Sequence, residues 1–340
     1  MKKILVAFTL IFCLIACEKQ KNEFPDFDYT TGYFPYQYPV RTLVLGDYIY
    51  DNSNDNNHKF LISAAMGGVY SNTKDRIFNI ELASNLCDNV LFNSGGDTIR
   101  LMPSSYYTLS SKEKLVIPAG HVNGSIEVQL TDAFFNDTLA TQLSYVIPLR
   151  ITEVTNLDSV LRGQSSQPNP DPRIKGLWDV QPKDFTMFAV NFINEYHGTY
   201  LHRGVSTVKD ASNQVIETNV YRTPYIVDNE LWSLKTISRN QVTIENNTHS
   251  DSTIKVPLEM KLTFDDKGTC TITEASGSAY TITGTGKFVK DGDEWGNKKR
   301  DAIYLNYQLK TPGDSTYSAI DTLVVRDRDI KLQVYDPVVF

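Results

Sequence analysis

The sequence has 340 residues, with 33 Lys and Arg against 40 Asp and Glu and a formal net charge of −7. This acidic balance argues against nucleic acid or anionic lipid surfaces as partners, because both select basic patches. The length exceeds one ordinary domain and suits two.

At the start, Lys2 and Lys3 precede thirteen uncharged residues, Ile4–Ala16. That is a basic region followed by an apolar run too short for a membrane span, which needs about 20 residues. Leu14-Ile15-Ala16-Cys17 resembles the bacterial lipobox, in which the chain is cut before the cysteine and that thiol is acylated. Residues 1–16 are expected to be a lipoprotein signal peptide, Cys17 the lipid attachment site, and 17–26 a polar tether. Two or three acyl chains, at about 0.8 kcal/mol per buried methylene, hold a protein firmly on a membrane. Removing residues 1–16 leaves 31 basic and 40 acidic residues, a net charge of −9.

Residues 27–160 read as short strands. Ile126, Val128 and Leu130 alternate with Glu127 and Gln129, and Tyr145, Ile147, Leu149 and Ile151 alternate along YVIPLRI, the pattern of strands with one wet face. Tyr33, Tyr36 and Tyr38 are expected to form the packing face of the first strand. Asp51–Asn57 alternates acids and amides as a calcium loop does, but it has Asn56 for the glycine and Ile62 for the bidentate glutamate, so it reads as a solvated loop. Short strands separated by turns suggest an immunoglobulin-like β-sandwich. Prolines 168, 170 and 172 in GQSSQPNPDP mark residues 161–174 as a stiff linker. Trp178, just after it, is expected to plug the domain junction or the base of the second domain.

In 175–340, Val256, Leu258, Met260, Leu262 and Phe264 share one face, DDKG turns, and TCTIT returns, a hairpin. Ile303, Leu305, Tyr307 and Leu309 alternate again, and DTLVVRDRDIKLQVY suggests two further strands. Such a meander fits a closed antiparallel barrel. Gly198-Thr199-Tyr200 resembles the Gly-x-Trp opening of lipocalin-like barrels. Gly284-Thr285-Gly286 reads as strand glycines at a close backbone approach. The fold class is therefore all-β, with an N-terminal immunoglobulin-like sandwich followed by a lipocalin-like barrel.

Longer strings carry a wider resemblance. YFPYQYPVRTLVLGD (33–47), HKFLISAAMGGVYSN (58–72), YVIPLRIT (145–152), FINEYHGTYLHRG (192–204) and GTGKFVKDGDEWGNKKRDAIYLNY (284–307) are similar to a Bacteroidota surface-lipoprotein family. Its members pair an immunoglobulin-like domain with a variable C-terminal domain and typically accompany SusC/SusD-type glycan uptake systems. The resemblance implies a lipid-anchored outer-membrane protein that faces the cell exterior and captures an oligosaccharide or glycan.

Catalytic motifs are missing from the sequence. Neither H-E-x-x-H nor G-x-S-x-G occurs, so a non-enzymatic protein without cofactor or metal is expected. His197 and His202 are the closest pair among five histidines, and the two cysteines beyond Cys17, Cys87 and Cys270, read as buried small hydrophobes. Sugars are bound by aromatic rings beside hydrogen-bonding groups. Trp295 in KDGDEWGNKK, with Asp293 and Asn297, and Trp232 in DNELWSLK are the candidate glycan-binding residues. A subunit that docks on a SusC/SusD-type transporter without touching sugar is the second expectation.

Overall fold

The computed structural model describes residue 27 and residues 29–250, 255–278, 280–310 and 315–340. The signal, Cys17 and the tether lie outside the described residues.

In the strand Lys59–Gly67, alternation turns Phe60, Ile62, Ala64 and Met66 inward. It pairs with Thr31–Tyr33 on one side and Asn123–Leu130 on the other, within a five-stranded sheet edged by Ser159–Val160 and Tyr107–Leu109. The facing sheet runs Val40–Val44, Phe185–Ile193, Tyr145–Thr155, Arg76–Leu82, Lys114–Ile117, with Arg100–Leu101 pairing alongside Tyr145–Thr155. Between them lies an apolar core that includes Phe34, Phe78, Phe134, Phe135 and Phe192. This is the expected β-sandwich.

Its second sheet is covered on both faces. Tyr145, Ile147, Leu149 and Ile151 enter the main core, while Val146, Phe185, Met187 and Ala189 enter a second cluster on the outer side. YVIPLRI therefore has no wet face in its first half, and the near-continuous apolar run is the sign of a strand buried twice. The outer cluster is closed by residues from the far end of the chain. Tyr335 packs on Tyr38 and Phe92 and donates its hydroxyl to the carbonyl of Met187 at 2.7 Å, and Val338–Val339 pairs with Val90–Leu91.

The division of the chain differs from the expectation. Phe185–Ile193 pairs antiparallel with Tyr145–Thr155 and parallel with Val40–Val44, so it is a strand of the sandwich. Residues 161–174 form a loop folded onto that domain. Arg173 grips Asp171 and donates to the carbonyls of Leu86 and Asp88, and the Trp178 indole donates to the Asp171 carbonyl at 2.8 Å. Trp178 thus closes this loop and not the domain junction. Tyr36 is exposed rather than packed, whereas Tyr38 packs on Phe185. Asp55, in the loop read as solvated, is buried; it accepts from the amide of Val44 and pairs with Arg41.

The barrel starts at Gly198. Among the described residues, eight antiparallel strands close it, the first (Gly198–Lys209) pairing with the last (Thr316–Asp327) along its whole length. Gly198 has φ +148°, and a Cβ there would sit 2.4 Å from the Asp327 carbonyl. The Pro257–Phe264 and Thr269–Glu274 hairpin forms as its pattern predicts. Beyond Asp327 the chain leaves for the sandwich, so DIKLQVY adds no barrel strand. Trp232, Tyr200, Tyr307, Tyr317 and Phe264 fill the interior as a packed core. Gly284 and Gly286 permit close approach, with Asn306 O and Cys270 Sγ at 2.5 and 2.7 Å from a Cβ placed there. Cys87 and Cys270 are free and buried.

Candidate functional site

The first barrel strand changes partner midway. Gly198–His202 pairs with Glu230–Ser238, and Gly204–Lys209 pairs with Val215–Tyr221. The barrel wall is split at Arg203, and the ends of two strands, Glu230 and Tyr221, stand side by side there. A polar cluster is built into this split. His202 is opposite Glu230 in register, and Asp321 lies on the inward face of the last strand, in line with Tyr317, Ala319 and Leu323.

The His202 ring has no exposed surface. Its Nδ1 is 2.5 Å from Glu230 Oε1 and its Nε2 is 3.1 Å from Asp321 Oδ2, the latter an ion-pair contact without hydrogen-bond alignment. One face of the ring stacks on Trp232 at 3.6 Å between centroids. Asp321 also accepts hydroxyl hydrogen bonds from Tyr221 and, at 2.9 Å, Tyr307. Burial alone would lower the pKa of His202, but Asp321 and Glu230 outweigh it and raise the value above that of an ordinary histidine. A carboxylate thus stands at each ring nitrogen of His202.

Glu230 Oε1 receives two more donors, Trp232 Nε1 at 2.7 Å and His249 Nε2 at 2.9 Å. Burial would raise its pKa; the hydrogen bonds from His202 and His249 prevail and hold it well below the usual carboxylate range. His249 comes from the segment after strand Gln241–Asn247. Its carbonyl accepts from Ser206 Oγ at 2.7 Å and Asn219 Nδ2 at 3.0 Å, its amide donates to Tyr317 Oη at 3.1 Å, and its ring stacks on Tyr221 at 3.8 Å. Above these groups opens a pocket of about 450 Å³, bordered by Asn219, Asn246, Asn247, Thr248, Ser250 and Lys255. Its rim supplies amide, hydroxyl and ammonium groups, and its floor is the Glu230–His249–Tyr221 surface.

Trp232 is fully buried. It cannot stack on a ligand from solvent, which corrects its assignment; its part is to hold Glu230 from beneath. Trp295, Asp293 and Asn297 share the hairpin joining strands Thr281–Trp295 and Lys298–Lys310, and none of the three lines the pocket. That hairpin leaves the barrel at a bulge after Val289 and lies against its outer wall, where Asp293 pairs with Arg203 and Tyr304 Oη donates to the Gly292 carbonyl. The Arg300 guanidinium covers one face of the Trp295 ring at 4.7 Å, and Asn297 makes the turn with φ +58°. Trp295 borders a separate groove of about 690 Å³ with Asp47 and Tyr48 of the sandwich.

His202 is brought together with His249 and not with His197, whose Nδ1 accepts from the amide of Thr236 elsewhere. His197 lies in the turn before the strand begins at Gly198, so nearness in sequence does not place it beside His202. A readable signal was Asp321, an acid on the apolar register of its strand. His249 and Glu230 gave none, because their approach depends on pairing between distant strands.

A sandwich followed by a closed barrel with a carboxylate-flanked histidine at a split in its wall defines the class. Residues 195–329 match a domain of unknown function, DUF5627, and residues 27–158 match a family of N-terminal domains. A crystal structure of a Bacteroides ovatus protein of unknown function is 35% identical, with TM-score 0.86 over 92% of this chain and 100% of that one. The chain belongs to the same family as that protein. Two more distant Bacteroides ovatus structures are similar over 90% and 89% of this chain and 100% and 99% of theirs. One, of unknown function, is 13% identical with TM-score 0.41; the other, a candidate carbohydrate-binding protein, is 11% identical with TM-score 0.30. Among curated proteins there is no match.

Proposed function

We propose that this chain is a non-catalytic glycan-binding lipoprotein, anchored at Cys17 on the outer face of the outer membrane and serving a SusC/SusD-type uptake system. The observation that carries the reading is the pocket in the split barrel wall. Its volume, about 450 Å³, is in the range of small-ligand sites, and Asn219, Asn246, Asn247, Ser250 and Lys255 offer donors and acceptors at an amide-rich rim. Charged and amide groups that remain partly hydrated exchange water for sugar hydroxyls at small desolvation cost. The rigid cluster below holds Tyr221 and Glu230 in place.

The test is a glycan array, then affinity gels, with the purified protein lacking its lipid. Binding is expected, with Asn247→Ala and Lys255→Ala each weakening it several-fold. Trp295→Ala separates the two candidate sites: retention unchanged in that variant favours the pocket, and lost retention moves the sugar to the hairpin. No retention of any glycan, together with co-purification with a transporter pair, would replace this reading with that of a docking subunit.

A further inference from the structure

We propose that His202, Glu230 and His249 form a binding site for one divalent metal ion of the zinc class at the floor of the pocket. Each offers a ligand atom, Nδ1, Oε1 and Nε2, and all three lie within 4.8 Å of one another. Two imidazoles and one carboxylate suit zinc and its borderline neighbours, whereas calcium and magnesium take oxygen donors. Around a tetrahedral zinc, ligand atoms are about 3.3 Å apart, given metal–ligand distances of about 2.0–2.1 Å. The present separations from Glu230 Oε1, 2.5 and 2.9 Å, are hydrogen-bond distances. Opening them by less than about 1 Å needs only a small rotation of Glu230, whose side chain is 44% exposed.

The surroundings resemble the outer shell of a metal centre. A ligating histidine ordinarily presents its other nitrogen to a carboxylate, which fixes the ring. Asp321 stands at Nε2 of His202, and is itself held by Tyr221 and Tyr307. Trp232 fixes the Glu230 carboxylate, and the Tyr221 ring supports His249. Two carboxylates, buried Asp321 and half-exposed Glu230, match the charge of a dication. A purely structural ion pair would be complete with His202, Glu230 and Asp321. His249 is extra to it: a separate segment, tied down through both its amide and its carbonyl, aims Nε2 at the same oxygen while Nδ1 is buried without a partner. Glu230 and His249 also line the pocket, so a fourth position on that side would have room for water or an incoming ligand.

The site lies within the proposed glycan pocket but stands without it, so the test uses metal alone and no sugar. Tag-free protein, stripped with a chelator, is titrated with zinc chloride against a chromophoric competitor. One equivalent is expected to bind and to raise the melting temperature. Glu230→Gln and His249→Gln should each weaken it by about tenfold or more, and Asp321→Asn by about 10–100-fold. His58→Gln and His121→Gln, remote from the cluster, should leave it unchanged. Absence of stoichiometric binding would overturn the proposal. So would equal affinity in Glu230→Gln and His249→Gln when circular dichroism shows both variants folded.

Discussion

A methyl group on Gly204 would sit 2.1 Å from Asp321 Oδ1, 2.6 Å from the Ile320 carbonyl and 2.8 Å from the Tyr221 ring. The absent side chain is what lets the carboxylate and the phenol meet behind His202. Gly204→Ala is expected to destabilise the protein by about 1–3 kcal/mol or more, since the backbone neighbour cannot rotate away; chemical denaturation measures this. His197, just before the barrel, and His202 within it should titrate in opposite directions. His197 is pushed down to about 4 by burial and by Arg328, while His202 is raised by its two carboxylates. The stability owed to His202 is fully present below about pH 6.5 and is lost as pH rises through its higher folded value. That owed to neutral His197 is present above about pH 6.5 and lost as pH falls toward 4. Melting temperature against pH should therefore lose its alkaline slope in His202→Gln and part of its acid slope in His197→Gln. His197 and His202 are near neighbours in sequence, but His197 accepts from the Thr236 amide while His202 faces Glu230 and Asp321. Alternation made Asp321 legible as an inward acid, but the partner strand that carries Glu230 was not.

At the scale of elements, alternation made the hairpin at Asp265–Gly268 and the strands around Ile126 and Leu305 readable, because their faces are wet on one side and dry on the other. Phe185–Ile193, FTMFAVNFI, is buried on both faces, so it shows no period, and nothing local tells which sheet takes it. The prolines at 168, 170 and 172 were readable as extended backbone, yet the same polar stretch is tied to the sandwich by Arg173, Asp171 and Trp178. Proteolysis within 163–172 is accordingly expected to leave two fragments that co-elute on size exclusion, because the strand Phe185–Ile193 remains paired across the cut. Two separately folded halves would contradict this pairing. Tyr335 is the largest side chain closing the outer cluster, and Tyr335→Ala should cost about 3–5 kcal/mol, read as a lower denaturation midpoint.

For the whole molecule, the junction rests on Arg328. Its buried guanidinium donates to the carbonyls of Leu45, Asp47, Asn194 and His197 at 2.6–3.0 Å, linking the sandwich, the connecting segment and the barrel. Lys290 with Asp47 and Arg239 with Asp132 add ion pairs on the surface, where such pairs contribute little. Calorimetry of the intact protein should show one transition. Arg328→Ala leaves four carbonyls without their donor, so a loss on the order of 3 kcal/mol and a split into two transitions are expected. A single transition at the original temperature would mean that the two domains are joined by packing alone.

The return of the chain to the sandwich after the barrel also sets an order of assembly. On a ribosome, the strands from Gly198 to Asp327 emerge before Tyr335 and Val338–Val339, so the barrel can close while the outer cluster of the sandwich still lacks its cover. The domain that is first in the sequence is thus finished last. Until then Phe92, Phe185 and Met187 lack that cover and face water or a chaperone.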